Sequence, residues 1–188
     1  LIGFAGAPFT VSAYMIEGAG STSFAITRRM AFADTPTFKN LMDKVARHTA
    51  NYLKAQAAAG ANALMLFDSH AGLLGPRDYR ELNLPFVKQI IADIKSTGVP
   101  ILYFGLGAHT SLEAISKCGA DVIGIDYGLR LDEAVERLGA NVSVQGNIEP
   151  YVFFRSRQEI QDRVVETLAF GKNARGHVFN LGHGVPQH

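Results

Sequence analysis

Six short apolar runs, separated by stretches of helical periodicity, constrain this chain more than any other feature of it. The runs are Leu1 to Phe4, Ala63 to Phe67, Ile101 to Phe104, Val122 to Ile125, Val142 to Val144 and His177 to Leu181. Ala63-Leu64-Met65-Leu66-Phe67 is apolar without alternation, the mark of a strand covered on both faces. After the first run, Phe38, Leu41, Met42, Val45, Thr49, Tyr52, Leu53 and Gln56 recur at helical spacing and Gly60 closes the segment. Thr35 stands where it could cap that helix, with Pro36 at its first position. A second helix begins near Pro76, breaks or kinks around Pro85, and continues through Val87, Ile90, Ile91 and Ile94 to Gly98. Shorter helices are expected over Leu112 to Lys117 and Asp132 to Leu138, closed by Gly119 and Gly139. Ser156 and Glu159 form a capping box ahead of Ile160, Val164 and Leu168. Such alternation predicts a parallel sheet joined by right-handed helical crossovers.

An open doubly wound sheet and a closed (β/α)₈ barrel both fit that pattern, and the polar residues choose between them. Asp68-Ser69-His70, Gly107 to His109, Asp126-Tyr127, Gln145 to Asn147 and Asn180 to His183 are placed just past successive strand ends. An open sheet concentrates such residues at one switch point, whereas a barrel collects them in a ring around one mouth. Every strand contributes here, so a barrel is expected, with about six of its β/α units in this chain. A complete barrel takes about 250 residues, so 188 residues suggest a fragment or a truncated form. No linker-like or low-complexity stretch interrupts residues 1–188, which read as one domain.

The first stretch carries the most local information. Gly3, Ala5 and Gly6 lack bulk, so another element or a ligand must approach the backbone there. Pro8 stops the run, Phe9 to Glu17 suits one or two helical turns, and Gly18-Ala19-Gly20-Ser21 reads as a flexible loop. That suits a binding wall carrying Tyr14, and equally a buried strand with a satisfied core tyrosine. Ser69 and His70 are adjacent and point apart, and the sequence lacks a G-x-S-x-G elbow. Ser69 therefore either caps its own loop or donates to a ligand carboxylate. His183 lies between Gly182 and Gly184, which would let an imidazole reach into a mouth. His70, His109, Asp68 and Asp126 match no zinc-ligand spacing. Gly105-Leu106-Gly107 has Thr110 where a dinucleotide fingerprint needs a third glycine, and supports an anion-binding turn at most. Cys118 falls between a helix and the next strand, at the end opposite the mouth, and reads as core packing.

Charge and composition remove other classes. The 18 basic and 17 acidic residues give a net charge of +1, with no basic cluster among aromatics, which argues against nucleic acid as a partner. No apolar run approaches the roughly 20 residues of a membrane span, and the first residues lack the charged region of a signal peptide. One cysteine allows no disulfide framework and suits a reducing cytoplasmic setting.

The run Gly3-Phe4-Ala5-Gly6-Ala7-Pro8-Phe9-Thr10, with Tyr14-Met15-Ile16-Glu17-Gly18 after it, resembles a signature motif of the uroporphyrinogen decarboxylases. Phe67-Asp68-Ser69-His70-Ala71-Gly72, Gln145-Gly146-Asn147 and Asn180-Leu181-Gly182-His183-Gly184 recur in that family's order, so the resemblance covers the whole chain. It implies a homodimeric (β/α)₈ barrel that decarboxylates the acetate side chains of uroporphyrinogen, yielding coproporphyrinogen, without cofactor or metal. It also implies that Tyr14, Ser69 and His183 hold the substrate's polar edge and carboxylates, and that Phe4 and Phe67 line its apolar pocket. The family's Arg-rich signature, and the aspartate that cradles the pyrrole NH groups, have no counterpart among these 188 residues. The chain alone is therefore expected to be inactive. Two other readings stay open: a thiol methyltransferase on the same barrel, which would hold zinc through His and Cys, and a tetrapyrrole-binding remnant without turnover.

Overall fold

A computed structural model describes residues 1–139 and 141–186. The six runs form six parallel strands: β1 (Ile2–Gly6), β2 (Ala63–Asp68), β3 (Ile101–Gly105), β4 (Val122–Gly124), β5 (Ser143–Ile148) and β6 (His177–Leu181). They pair in sequence order, β1-β2-β3-β4-β5-β6. An open doubly wound sheet would reverse direction at a switch point; this one does not, and it is a contiguous arc of a barrel.

The two faces of the arc are packed differently. Ala5, Leu64, Leu66, Ile101, Tyr103, Ile123 and Val144 point outward into the main core with the helices. The alternate residues Met65, Leu102 and Phe104 make a smaller apolar cluster on the concave face, joined by Phe67, Leu106 and Val122. Two-residue periodicity puts Phe4 on that concave face as well, and it is 62% exposed because β1 is an edge of the arc.

Eight helices surround the convex face among the described residues. Helix α1 (Pro8–Glu17) and α2 (Ala25–Ala33) precede the long α3 (Thr35–Ala58), followed by α4 (Pro76–Leu82), α5 (Leu84–Ile94), α6 (Leu112–Ile115), α7 (Leu131–Leu138) and α8 (Arg157–Phe170). The break at Pro85 separates α4 from α5, and the capping box at Ser156 and Glu159 opens α8. Phe38, Met42, Val45, Thr49 and Leu53 are buried along α3 as their spacing predicts.

Several local expectations are corrected. Asp34, not Thr35, caps α3, its carboxylate accepting from the Thr37 amide, while Thr35 lies inside the helix and donates to the Ala31 carbonyl. Tyr52 is 57% exposed because it falls at the flank of the α3 stripe. Helix α2 occupies a segment without apolar periodicity, burying only Thr27 and Ala31. The apolar residues of α8 are half-buried or exposed, and Thr167 alone of that helix is buried. Asp68, Gln145 to Asn147 and Asn180 lie within the last residues of their strands instead of beyond them.

At Gly3 the close approach is made by a neighbouring element. A Cβ on Gly3 would come within 2.5 Å of the Gln56 Oε1 atom and 3.1 Å of Ala61, so α3 packs directly onto the strand backbone there. The Gln56 amide also donates to the Phe4 carbonyl at 2.9 Å.

Candidate functional site

The rim at the C-terminal strand ends is tied together by backbone and side-chain bonds running from strand to strand. The Ala7 amide donates to the Phe67 carbonyl, the Gly72 amide to Leu106, and the Gly182 amide to Ile148. Asn147 extends its Nδ2 to the carbonyls of Asp126 and Leu129. With the Gly107 amide on Asp126, these bonds link the ends of β1 through β6 in turn.

Tyr14 sits on α1, not in a loop, yet it reaches the loop after β2. Its ring meets His70 edge-on at 5.3 Å and Phe24 at 5.6 Å, and the His70 and Phe24 rings lie 4.3 Å apart. This brings Tyr14, which is 46% exposed, to the segment carrying Ser69. Ser69 is half-buried, and it does not cap the turn after it: the 3₁₀ segment Ala71–Leu73 starts from His70 with no side-chain cap. The His70 Nε2 atom is buried without a partner, and burial pulls the imidazole pKa below its ordinary value against the nearby Asp68 charge.

Phe4 and Phe67 pack edge-to-face on the concave side, centroids 6.0 Å apart at 85°. Phe67 in turn meets Phe104 at 6.1 Å and 67°, so an aromatic row crosses β1, β2 and β3. Sequence reasoning does not single out Phe104 as a wall residue. Its register opposite Phe67 is the signal that finds it.

His183 stands at the far end of the arc, exposed beyond β6. Gly182 before it is pressed against the Tyr127 backbone and the Asn147 carbonyl, where no Cβ fits, while Gly184 after it faces open space. The structure therefore brings Tyr14 close to the Ser69 loop and places His183 on the same rim across four strands.

Both strand-end aspartates are occupied. Asp68 is fully buried on the convex side, its Oδ1 accepting from the Thr10 hydroxyl at 2.7 Å and its Oδ2 from Asn83 Nδ2 at 2.5 Å and the Tyr103 hydroxyl at 3.1 Å. The Tyr79 and Tyr103 hydroxyls lie 2.7 Å apart, which extends the network to α4. Burial raises the Asp68 pKa, and the three donors act in the opposite direction. Asp126 accepts from the backbone amides of Gly107 and Gly128. The Gly105-Leu106-Gly107 turn does bind an anion, but the anion is the chain's own carboxylate. Glu149, directly after β5, accepts from the Tyr151 amide at 3.2 Å. Among the described residues, His70, His109, Asp68 and Asp126 do not gather into a group of three or more metal-ligating side chains. Cys118 is buried between α6 and β4, on the side opposite the rim, and burial raises its thiol pKa.

A groove of about 740 Å³ lies outside the rim, between α8 and the loops after β4 and β5. Its arginines Arg130, Arg155 and Arg163 are paired with Asp132, Glu159 and Glu166 at 2.6, 3.5 and 2.7 Å, so it offers little net positive charge.

Comparison with known proteins agrees with this architecture. The family model described as "Uroporphyrinogen decarboxylase (URO-D)" matches residues 1–188. The chain is 42% identical over 185 residues to a uroporphyrinogen decarboxylase of Myxococcus xanthus (strain DK1622), covering 98% of this chain and 53% of that one. It is 42% identical over 187 residues to one of Desulfotalea psychrophila (strain LSv54 / DSM 12343), covering 100% of this chain and 55% of the relative. The chain thus spans about half the length of the curated relatives it matches. A solved methyltransferase from Methanosarcina mazei superposes with a TM-score of 0.81 over 98% of this chain and 54% of its own, at 16% identity. At that identity the likeness speaks for the fold alone. A match along the whole sequence, with close to half the residues shared, decides the family: the chain belongs to the uroporphyrinogen decarboxylases.

Proposed function

We propose that the chain carries the carboxylate-holding rim and apolar wall of a uroporphyrinogen decarboxylase. The observation that carries this reading is the pairing of Tyr14 with the Ser69 loop at the strand ends of a face whose aromatic row is Phe4, Phe67 and Phe104. A tetrapyrrole is flat and greasy with an anionic edge, so it calls for an apolar wall bordered by hydrogen-bond donors. Tyr14 and Ser69 would donate to carboxylates at one side of the macrocycle and His183 at the other, with Phe4 and Phe67 against its face. In the family's chemistry a protonated pyrrole carbon makes the ring an electron sink, and each acetate then leaves as carbon dioxide. The residues of this chain contribute orientation and exclusion of water to that step. A methyltransferase reading draws on fold likeness only, and no further observation favours it.

The test is binding of uroporphyrin, the stable oxidised macrocycle with the same carboxylates, followed by its fluorescence. His183→Ala is expected to lose a charge-assisted hydrogen bond worth about 1.5–3 kcal/mol, roughly 10- to 150-fold in affinity, with an unchanged urea midpoint. Its exposed position between two glycines buries little surface. A variant that binds like the parent, or that fails to fold, removes His183 from the site.

The same reading places residues 1–188 in one domain of a cytoplasmic homodimer. Edge strands present unpaired backbone groups as templates for another chain, and β1 and β6 are the edges of the arc. Sedimentation velocity at micromolar concentration is expected to show dimers or larger species, and a clean monomer would count against it.

A further inference from the structure

We propose that Thr10, anchored on Asp68, is a positioning residue that sets the separation of Tyr14 and Ser69. The inference rests on the reading of this rim as a tetrapyrrole site and adds to it a residue that does not touch the ligand. Thr10 lies on the same helix as Tyr14, one turn earlier, and is 7% exposed. Its hydroxyl has one proton and two lone pairs, and both kinds of capacity are used. It donates to Asp68 Oδ1 at 2.7 Å and accepts from the His70 amide at 3.2 Å. Asp68 and His70 flank Ser69 on either side in the chain. A single hydroxyl of α1 therefore grips the backbone just after Ser69 and the side chain just before it.

The anchor itself is stiff. Asp68 Oδ2 is held by Asn83, at the junction of α4 and α5, and by Tyr103 from β3, whose hydroxyl meets Tyr79. Three donors from α1, the α4–α5 junction and β3 thus converge on one buried carboxylate, and Thr10 is the side chain by which α1 is registered to it. On the solvent side the same register is seen in the Tyr14 ring lying against His70. Donors that must meet two carboxylates of a rigid macrocycle gain affinity from being held at the right spacing beforehand. Thr10 supplies that spacing by holding α1 and the β2 loop to a common point.

The experiment measures uroporphyrin affinity for the full chain and its variants. Thr10→Val keeps the shape and removes both bonds; it is expected to weaken binding about 5- to 30-fold. Thr10→Ser restores the hydroxyl and is expected to return affinity to within about twofold of the parent. In a Tyr14→Phe, Ser69→Ala background the Thr10→Val loss should shrink to less than about twofold, because a residue acting through those two donors has nothing left to position. An equal loss in both backgrounds would make Thr10 merely structural and overturn the proposal. So would full affinity in Thr10→Val alone. Amide hydrogen exchange in the unmodified chain gives a reading that does not depend on the variant folding. The His70 amide is expected to be protected, and exchange at the rate of an open loop would remove the bond on which the proposal stands. If the unmodified chain shows no affinity for uroporphyrin, the substrate reading falls and this inference with it. Binding that survives Thr10→Val unchanged refutes the inference alone.

Discussion

Asp68→Leu is expected to lower the stability of the chain by about 2–6 kcal/mol, the sum for two buried donors stranded at about 1–3 kcal/mol each. Leucine has the branched shape of aspartate and is the larger side chain, so the loss does not come from a cavity. It comes from the Thr10 hydroxyl, the Asn83 amide and the Tyr103 hydroxyl, which all donate to this carboxylate in the interior. Each buried donor left without an acceptor costs about 1–3 kcal/mol. Tyr103 can turn to Tyr79, 2.7 Å away, which limits its share. Asn83 is completely buried, and the bond to Asp68 is the one hydrogen bond its side chain makes among the described residues. A domain typically has about 5–15 kcal/mol in all, so the substitution removes a large fraction. Urea titration with a common slope checks it, using Asp93→Leu on the exposed side of α5 as the control. The control should stay within about 0.5 kcal/mol. A matching midpoint for Asp68→Leu would mean that the network contributes nothing to folding.

That network also shows where sequence reading stops. The arc of strands was legible because a strand buried on both faces has to be a continuous apolar run, as at Leu64, Met65 and Leu66. Helix α3 was legible because Phe38, Met42, Val45, Thr49 and Leu53 repeat on one stripe. Helix α2 was not. It starts from Phe24 in a left-handed backbone conformation, φ 46°, and exposes Ile26 and Phe32, so neither a cap nor an apolar stripe announces it. The Asp68 network joins residues 10, 68, 79, 83 and 103, which no local pattern relates. One signal was available: Tyr103 in the middle of an apolar run, whose buried hydroxyl must find a partner. Asp126 was likewise visible as a strand-end carboxylate, while its engagement by the Gly107 amide depends on the adjacency of β3 and β4.

The polypeptide Leu1 to His188, prepared by itself, is expected to bind uroporphyrin weakly and to form no detectable coproporphyrinogen from uroporphyrinogen under anaerobic conditions. The chemistry proposed for this family passes through a positively charged, protonated pyrrole, which a fixed carboxylate beside the ring NH groups would stabilise. Among the described residues, three carboxylates stand at or just past the C-terminal strand ends of this arc, and each already has a partner. Asp68 points away from the concave face, into the helix layer, and is held by three donors. Asp126 is bound by two backbone amides, and Glu149 by the amide of Tyr151. Turning Asp68 toward a macrocycle would leave its buried donors unpaired, which opposes the motion by about 1–3 kcal/mol for each, and Asp126 would give up its two part-buried amide bonds. Tyr14, Ser69 and His183, proposed above to hold carboxylates, bring no negative charge to the ring. A single well-placed stabilising group is worth about 2.7–4 kcal/mol, or roughly 10²–10³ in rate. The preparation should be shown by mass to begin at Leu1, and a full-length relative assayed beside it. Turnover within about tenfold of that relative would show that one of the three committed carboxylates leaves its partners to serve the ring, with Asp126 the first to test by Asp126→Asn, since its donors are backbone amides at the rim itself.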